Sequence, residues 1–191
     1  MRNLLFILII TLSMQSCAPI VGTVGMVSLG AASKEKGLGT SINDSLIKTK
    51  ISNLIYKYNK DLIADTKVFV NNGSVLYTGK LNNPNDKIEF TKLAWNIRGV
   101  KEVNNEIQVT DTSSLKNIAR DIASVGEIRA RIMADKSINS INFSIDVVND
   151  TAYISGVATS ELEMNLVKSH ASSARFIKEV YNYIILNKDT R

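Results

Sequence analysis

An internal repeat constrains this 191-residue chain more than any other feature. Residues 99–109, GVKEVNNEIQV, align with residues 176–186, FIKEVYNYIIL, at an offset of 77. The same offset aligns residues 68–79, VFVNNGSVLYTG, with residues 145–156, IDVVNDTAYISG. A chain that repeats itself in this way folds into two similar units. Units of roughly 65 to 70 residues are small for burying a core alone, so we expect the two copies to pack together.

The helix that opens each copy is predicted from a second, weaker similarity. IKTKI at residues 47–51 resembles IRARI at residues 128–132 at an offset of 81, which predicts that the first copy carries four extra residues. Ser41 or Asn43 is placed to cap the first helix. Its apolar residues recur at three- and four-residue steps, as in an amphipathic helix: Ile47, Ile51, Leu54, Ile55 and Tyr58.

Alternating apolar residues and a tight turn then predict a β-hairpin in each copy. The turns are Asn72-Gly73 and Asn149-Asp150. A second helix follows at residues 86–98, and a last strand at residues 102–109. The residues predicted to face inward from the second helices are Ile88, Phe90, Leu93, Ala94 and Ile97 in the first copy and Leu162, Leu166, Val167 and Ala174 in the second. The predicted fold class is α+β, each copy having the order αββαβ and a three-stranded mixed sheet packed by two helices.

The N-terminus has the pattern of a secretory signal. A basic start precedes the apolar residues 4–12, and Cys17 follows where cleavage would fall. This pattern resembles a bacterial lipobox, so residues 1–16 are predicted as a lipoprotein signal peptide, Cys17 as the acylated (palmitate-bearing) residue and residues 17–40 as a small-residue tether. An ordinary signal peptide and an uncleaved membrane segment are the alternatives. Ala18, where Asp would favour the inner membrane in enteric bacteria, points to the periplasmic face of the outer membrane.

The residue counts leave little room for catalysis or metal binding. Cys17 is the only cysteine and His170 the only histidine, so no catalytic residues, metal site or cofactor are expected. His170 is predicted to be a surface residue without a second metal ligand or a catalytic base partner, and Glu161 and Glu163 to interact with a helix dipole. Nucleic acid is not expected as a partner. Trp95 and the six tyrosines are assigned to the cores or to the interface between the copies.

The order strand, Asn-Gly or Asn-Asp turn, strand ending in Gly79 or Gly156, helix and Lys-Glu-Val strand resembles the BON family. We expect BON domains at residues 41–110 and 117–188. Phe176 stands where the family pattern usually has a glycine. Two copies behind a lipobox are similar to dual-BON outer-membrane lipoproteins. The resemblance implies an envelope protein without enzymatic activity, which associates with membranes and recognises anionic phospholipid through the first helix of the second copy.

The residues of this helix to which the resemblance assigns phospholipid binding are Arg129, Arg131, Met133 and Lys136. Arg129, Met133 and Lys136 are expected to share one helix face, with Arg131 on another. Such a face suits the headgroup layer, although a solvated helix surface explains it equally well.

Charge favours a rival contact in the first copy. Residues 41–110 hold ten Lys and Arg against seven Asp and Glu, whereas residues 111–191 hold ten of each. Lys48, Lys50 and Lys57 are therefore alternative membrane contacts. The leading hypothesis is a lipid-anchored periplasmic protein that binds phospholipid headgroups and supports envelope integrity. The alternative is a periplasmic chaperone or adaptor that holds outer-membrane assembly proteins or their clients on apolar surface between the copies.

Overall fold

The computed structural model describes residues 37–110 and 115–187 of the chain. The first copy consists of helix α1 (Gly37–Tyr58), a 3-10 turn (Lys60–Ile63), strands β1 (Thr66–Asn71) and β2 (Ser74–Leu81), helix α2 (Pro84–Trp95) and strands β3 (Glu102–Asn105) and β4 (Gln108–Val109). The second consists of α3 (Leu115–Ala134), a 3-10 turn (Ser140–Asn142), β5 (Phe143–Val148), β6 (Thr151–Ala158), α4 (Glu161–Ser172) and β7 (Glu179–Leu186). Among these helices none is long and apolar enough to cross a membrane.

Each copy contains one mixed sheet, which confirms the predicted α+β class. β2 pairs antiparallel with β1 and parallel with β3, and β6 pairs in the same way with β5 and β7. The last strand of the first copy is not continuous as predicted. The side chain of Asn105 accepts a hydrogen bond from the Ile107 N–H at 3.2 Å, and Ile107 turns into the core. Pairing with β2 then resumes in β4.

The two copies align at an offset of 77 throughout. α2 and α4, β1 and β5, and β2 and β6 all begin and end at positions 77 apart. The buried residues of the first helices follow the same offset: Ile47, Ile51 and Ile55 in α1, and Ser124, Ile128 and Ile132 in α3. The predicted offset of 81 is therefore wrong, because burial pairs Ile51 with Ile128. α1 also begins at Gly37, before the predicted caps Ser41 and Asn43.

The glycines that close the hairpins are required by close backbone contacts. A Cβ atom on Gly79 would lie 2.1 Å from the Asp65 carbonyl oxygen, and one on Gly156 would lie 2.3 Å from that of Asn142. Gly79 also has a φ of +123°. The backbone that enters the first strand therefore passes directly over the end of the second, and a side chain has no room there.

The helices of each copy cover one face of its sheet, and the opposite faces of the two sheets contact each other. The contact contains an apolar cluster of Phe69, Leu76, Val148, Tyr153 and Tyr183. These contacts agree with the expectation that the copies pack together. Two positions predicted to face inward are exposed instead: Ile88 is 54% exposed and Leu162 is 67% exposed. Each lies near the start of its helix, beyond the sheet face that Phe90 and Val167 cover.

Candidate membrane-binding surfaces

The first candidate surface is the carboxyl end of α3, which the family resemblance indicated. Met133 is 72% exposed there, and Arg129 is exposed one turn earlier. Lys136 is also exposed but does not lie on the helix, because α3 ends at Ala134. The Asp135 carboxylate accepts a hydrogen bond from the Ser137 N–H at 2.9 Å and forms the turn that carries Lys136. The three side chains thus belong to the end of a helix and the turn that follows it.

Arg131 faces a different neighbourhood. Its guanidinium donates to the Glu127 carboxylate at 2.7 and 3.1 Å and to the Ser173 hydroxyl at 2.9 Å. The pKa of the Glu127 carboxyl is lowered, most by the Arg175 N–H and next by this guanidinium. Arg131 therefore links α3 to the end of α4, and its charge is largely balanced within the protein.

The lysines proposed as the rival contact are divided between two hollows. Lys48 lines a hollow of about 270 Å³ with Ile63 and Phe69. Lys50 and Lys57 line a different groove of about 340 Å³, between α1 and the turn after α2. Lys48 and Lys50 are two positions apart, about 200° around a helix, which explains the separation.

Arg98 is the residue that sequence reasoning missed at this second groove. Arg98 completes its lining together with Asn96 and Ile97. Trp95, assigned to a core or interface from the sequence, is 54% exposed at the end of α2. Its seven-residue spacing from the exposed Ile88 was a usable signal, since residues seven apart share a helix face.

A larger groove lies between the two copies. It has a volume of about 560 Å³ and is bounded by β1 and β2 on one side and by α3 and β5 on the other. Ile118 and Ile122 are 41% and 68% exposed along it, and Val125 continues the same helix face. Its polar wall includes Lys67 and Asp146, which form an ion pair between the copies, and Lys80, which lies 3.7 Å from Asp121.

One other side-chain prediction was wrong, the assignment of Trp95 and all six tyrosines to the cores or the interface. Besides Trp95, the aromatic residues Tyr56, Tyr58 and Tyr181 are at least 45% exposed, while Tyr77 and Tyr153 are buried as expected. His170 is partly exposed, and its Nε2 lies 2.8 Å from the Asp135 carboxylate. Glu163 is buried and accepts hydrogen bonds from the backbone N–H groups of Asn139 and Thr159, both at 2.8 Å.

These features define a class of protein built from two copies of one small α+β domain, with charged and apolar surfaces on its helices. The BON domain family matches residues 43–111 and 115–188, so the chain belongs to the BON family and carries two copies of its domain. The match covers both sheets and nearly all of the four described helices.

Three curated relatives match most of this chain. An uncharacterized protein from the gshII 5' region of Anaplasma centrale is 34% identical over 146 residues, 76% of this chain and 95% of the relative. The outer membrane lipoprotein DolP of Haemophilus influenzae is 26% identical over 182 residues, 94% of this chain and 93% of the relative. The osmotically-inducible protein Y of Escherichia coli is 24% identical over 147 residues, 76% of this chain and 73% of the relative.

Proposed function

We propose that this protein is a non-enzymatic, lipid-anchored protein at the periplasmic face of the outer membrane, where it binds anionic phospholipid headgroups and supports envelope integrity. Similarity to an outer membrane lipoprotein over 94% of the chain supports the location. The observation that carries headgroup binding is the exposed end of α3. There an apolar side chain, Met133, is 72% exposed between two exposed cations, Arg129 and Lys136.

The physical basis is the combination of a small apolar contact with nearby positive charge. A methionine that enters the headgroup layer removes apolar area from water. Each cation near an anionic surface adds about 1 kcal/mol. Arg131 contributes less than its neighbours because Glu127 already balances its charge. A surface of this size gives reversible contact, which an acyl anchor makes persistent by keeping the protein at the membrane.

Vesicle sedimentation tests headgroup binding with a form of the protein that begins at Ala18 and so lacks the acylation site. We expect it to sediment with phosphatidylglycerol vesicles and not with neutral phosphatidylcholine vesicles. Met133→Asp should weaken binding about tenfold, since it replaces the apolar contact by a like charge. Leu162→Asp is the matched control, because Leu162 is 67% exposed on α4 and lies outside the surface. Equal, negligible sedimentation with both vesicles would contradict headgroup binding.

The anchor is the second part of the proposal. Cys17 lies outside the described residues, and its acylation is inferred from the lipobox pattern. A Cys17→Ala chain should move from the outer-membrane fraction to the soluble or precursor fraction, because the remaining surface binds only reversibly. Continued tight association of this variant with the outer membrane would contradict the anchor.

The groove between the copies favours a second candidate function. Ile118 and Ile122 offer an apolar helix face beside polar strand residues, which suits a segment of another protein better than a lipid headgroup. This arrangement supports a periplasmic chaperone or an adaptor for outer-membrane assembly proteins. Failure of both vesicle types to bind would leave this function as the better explanation.

A further inference from the structure

The groove between α1 and the turn after α2 is lined by positive charge, and two of its cations, Lys50 and Arg98, also line an adjoining hollow that contains Asp44. The lining of the groove itself contains three cations, Lys50, Lys57 and Arg98, and no carboxylate. Across residues 37–110 and 115–187, none of these three side chains forms an ion pair. The rest of the lining is two asparagine side chains and two apolar residues. Like charges that line one groove repel one another, and an anion bound between them relieves the repulsion.

The second copy shows what occupies the same place in this fold. The offset of 77 puts Glu127 at the position of Lys50 and Arg175 at that of Arg98. One Glu127 carboxylate oxygen accepts from Arg131, and the other accepts from the Arg175 backbone N–H at 3.2 Å. An oxyanion thus binds the turn after the second helix in one copy, and that oxyanion comes from the protein itself.

The turn that provides this N–H makes the same backbone hydrogen bonds in both copies, although Gly99 has a φ of +102° and its counterpart Phe176 does not have a positive φ. Asn96 and Ile97 donate to the carbonyl oxygens of Lys92 and Ala94 at 3.2 and 3.0 Å. Their counterparts Ser173 and Ala174 donate to Ser169 and Ala171 at 3.0 and 3.2 Å. The Arg98 N–H therefore corresponds to the Arg175 N–H. Within the part of the chain that the structure describes, it has no acceptor in the protein.

We propose that this groove of the first copy is an oxyanion site that takes a phosphate group, bound by the Arg98 backbone N–H and by Lys50, Lys57 and Arg98. Glu127 is its internal counterpart in the second copy. Three cations without a carboxylate favour phosphate over the single charge of a carboxylate. The site is separate from the end of α3, so it goes beyond the proposed headgroup contact. The phosphate has two sources, a lipid headgroup and free phosphate.

Trp95 provides a built-in probe for this site. It is the only tryptophan in the chain and precedes the groove residue Asn96 directly. The mature, acylated protein is placed in dodecyl maltoside micelles, which contain no phosphate, and Trp95 emission is followed during two titrations. One adds inorganic phosphate, and the other adds phosphatidylglycerol to the micelles. We expect a saturable change with at least one of them.

Lys50→Glu is the decisive variant because it places a carboxylate where the second copy has one. It should raise the titrant concentration at half-saturation at least tenfold. It should also slow hydrogen exchange at the Arg98 amide toward the rate at Arg175, a readout that needs no ligand. The control Lys48→Glu makes the same charge change on the other side of α1. It should change the titrant concentration at half-saturation less than twofold. The fold tolerates Lys50→Glu, since Glu127 occupies the same position in α3.

The outcomes separate the source of the phosphate from the existence of the site. A response to phosphatidylglycerol alone assigns the site to lipid phosphate, and a response to inorganic phosphate alone assigns it to free phosphate. A response to both shows that the site takes the phosphate group from either source. Equal weakening by Lys50→Glu and Lys48→Glu, or no saturable response, would overturn the proposal. Met133→Asp should leave both titrations unchanged, so failure of the α3 surface and failure of this groove are distinguishable.

Discussion

Two buried aspartates hold the hairpin turns of the two copies. Asp44 accepts hydrogen bonds from the backbone N–H groups of Asn72 and Gly73 at 2.9 and 3.0 Å. Asp121 accepts from Asn149 and Asp150 at 2.9 and 3.1 Å. Each side chain thus fastens the start of a first helix to a turn about 28 residues later in the chain. Their spacing of 77 was visible in the sequence, but polar residues in a helix usually indicate its solvated face.

The carboxyl group of Glu127 makes part of the stability of the second copy dependent on pH. Its pKa is lowered, chiefly by the Arg175 N–H and then by Arg131. A carboxyl whose pKa is lower in the folded state stabilises the fold above its ordinary value, about 4.3 for glutamate, and the effect is lost as pH falls through the folded pKa.

Glu127→Gln should therefore lower the melting temperature at pH 7, and the difference from the unmodified protein should shrink as the pH is lowered from about 5 to about 3. Thermal melts over this range check it. Glu179→Gln is the control, because Glu179 is exposed and makes no ion pair among the described residues. If the difference in melting temperature between Glu127→Gln and the unmodified protein stays constant over this pH range, Glu127 has no such linkage.

At the scale of the elements, local sequence was sufficient for the hairpins and the second helices. Asn72 has a φ of +52° and Gly73 of +80°, and Asn149 and Asp150 are also left-handed, as the turn residues predicted. The alignment of α1 with α3 was only partly visible in the sequence, where Asp44, Ile51 and Ile55 have identical counterparts 77 positions later. Buried Ile47 corresponds to buried Ser124, and only the three-dimensional core shows that these positions are equivalent.

The second hairpin depends on the absence of a side chain at its closing glycine. In Gly156→Ala, the new Cβ would meet the Asn142 backbone oxygen at 2.3 Å, and backbone atoms give way less easily than a flexible side chain. We expect the free energy of unfolding to fall by about 1–3 kcal/mol.

Gly126→Ala is the matched control, because nothing lies within 4 Å of the added Cβ and the residue is inside α3. This change should raise the free energy of unfolding by about 0.5–1 kcal/mol, since alanine loses less backbone entropy in a helix. Urea denaturation of both variants checks the pair. If the two variants are equally stable, the backbone at Asn142 can move away from β6.

In the whole molecule, the contact between the two sheets combines apolar and charged residues. Asp146 is buried and bonds to Thr78 and Lys67 across the interface. The Tyr183 hydroxyl donates to Glu106, and these two residues occupy equivalent positions 77 apart. Burial, and then the Glu106 carboxylate, raise the pKa of Tyr183. Equivalent positions that touch each other indicate that the copies pack through matching faces, related by an approximate twofold axis.

The packing also explains why the two copies differ in their surfaces. Positions that match in sequence have different neighbours: Lys50 faces an open groove, whereas Glu127 binds Arg131 and the Arg175 N–H. Copies that share one fold can therefore carry different sites, because side chains outside the core diverge freely while most buried positions stay apolar.

The sequence by itself determined the repeat, the α+β class, the hairpin turns and the family, since these depend on local periodicity, turn chemistry and glycine spacing. Only the tertiary structure decided which cations line the same groove. Lys50 and Lys57 lie with Arg98, some 40 residues further along the chain, while Lys48, two residues from Lys50, faces a different hollow. It also showed that Arg131 forms an ion pair with Glu127. Surface electrostatics depends on distances through space, and these are set by how helices pack on a sheet.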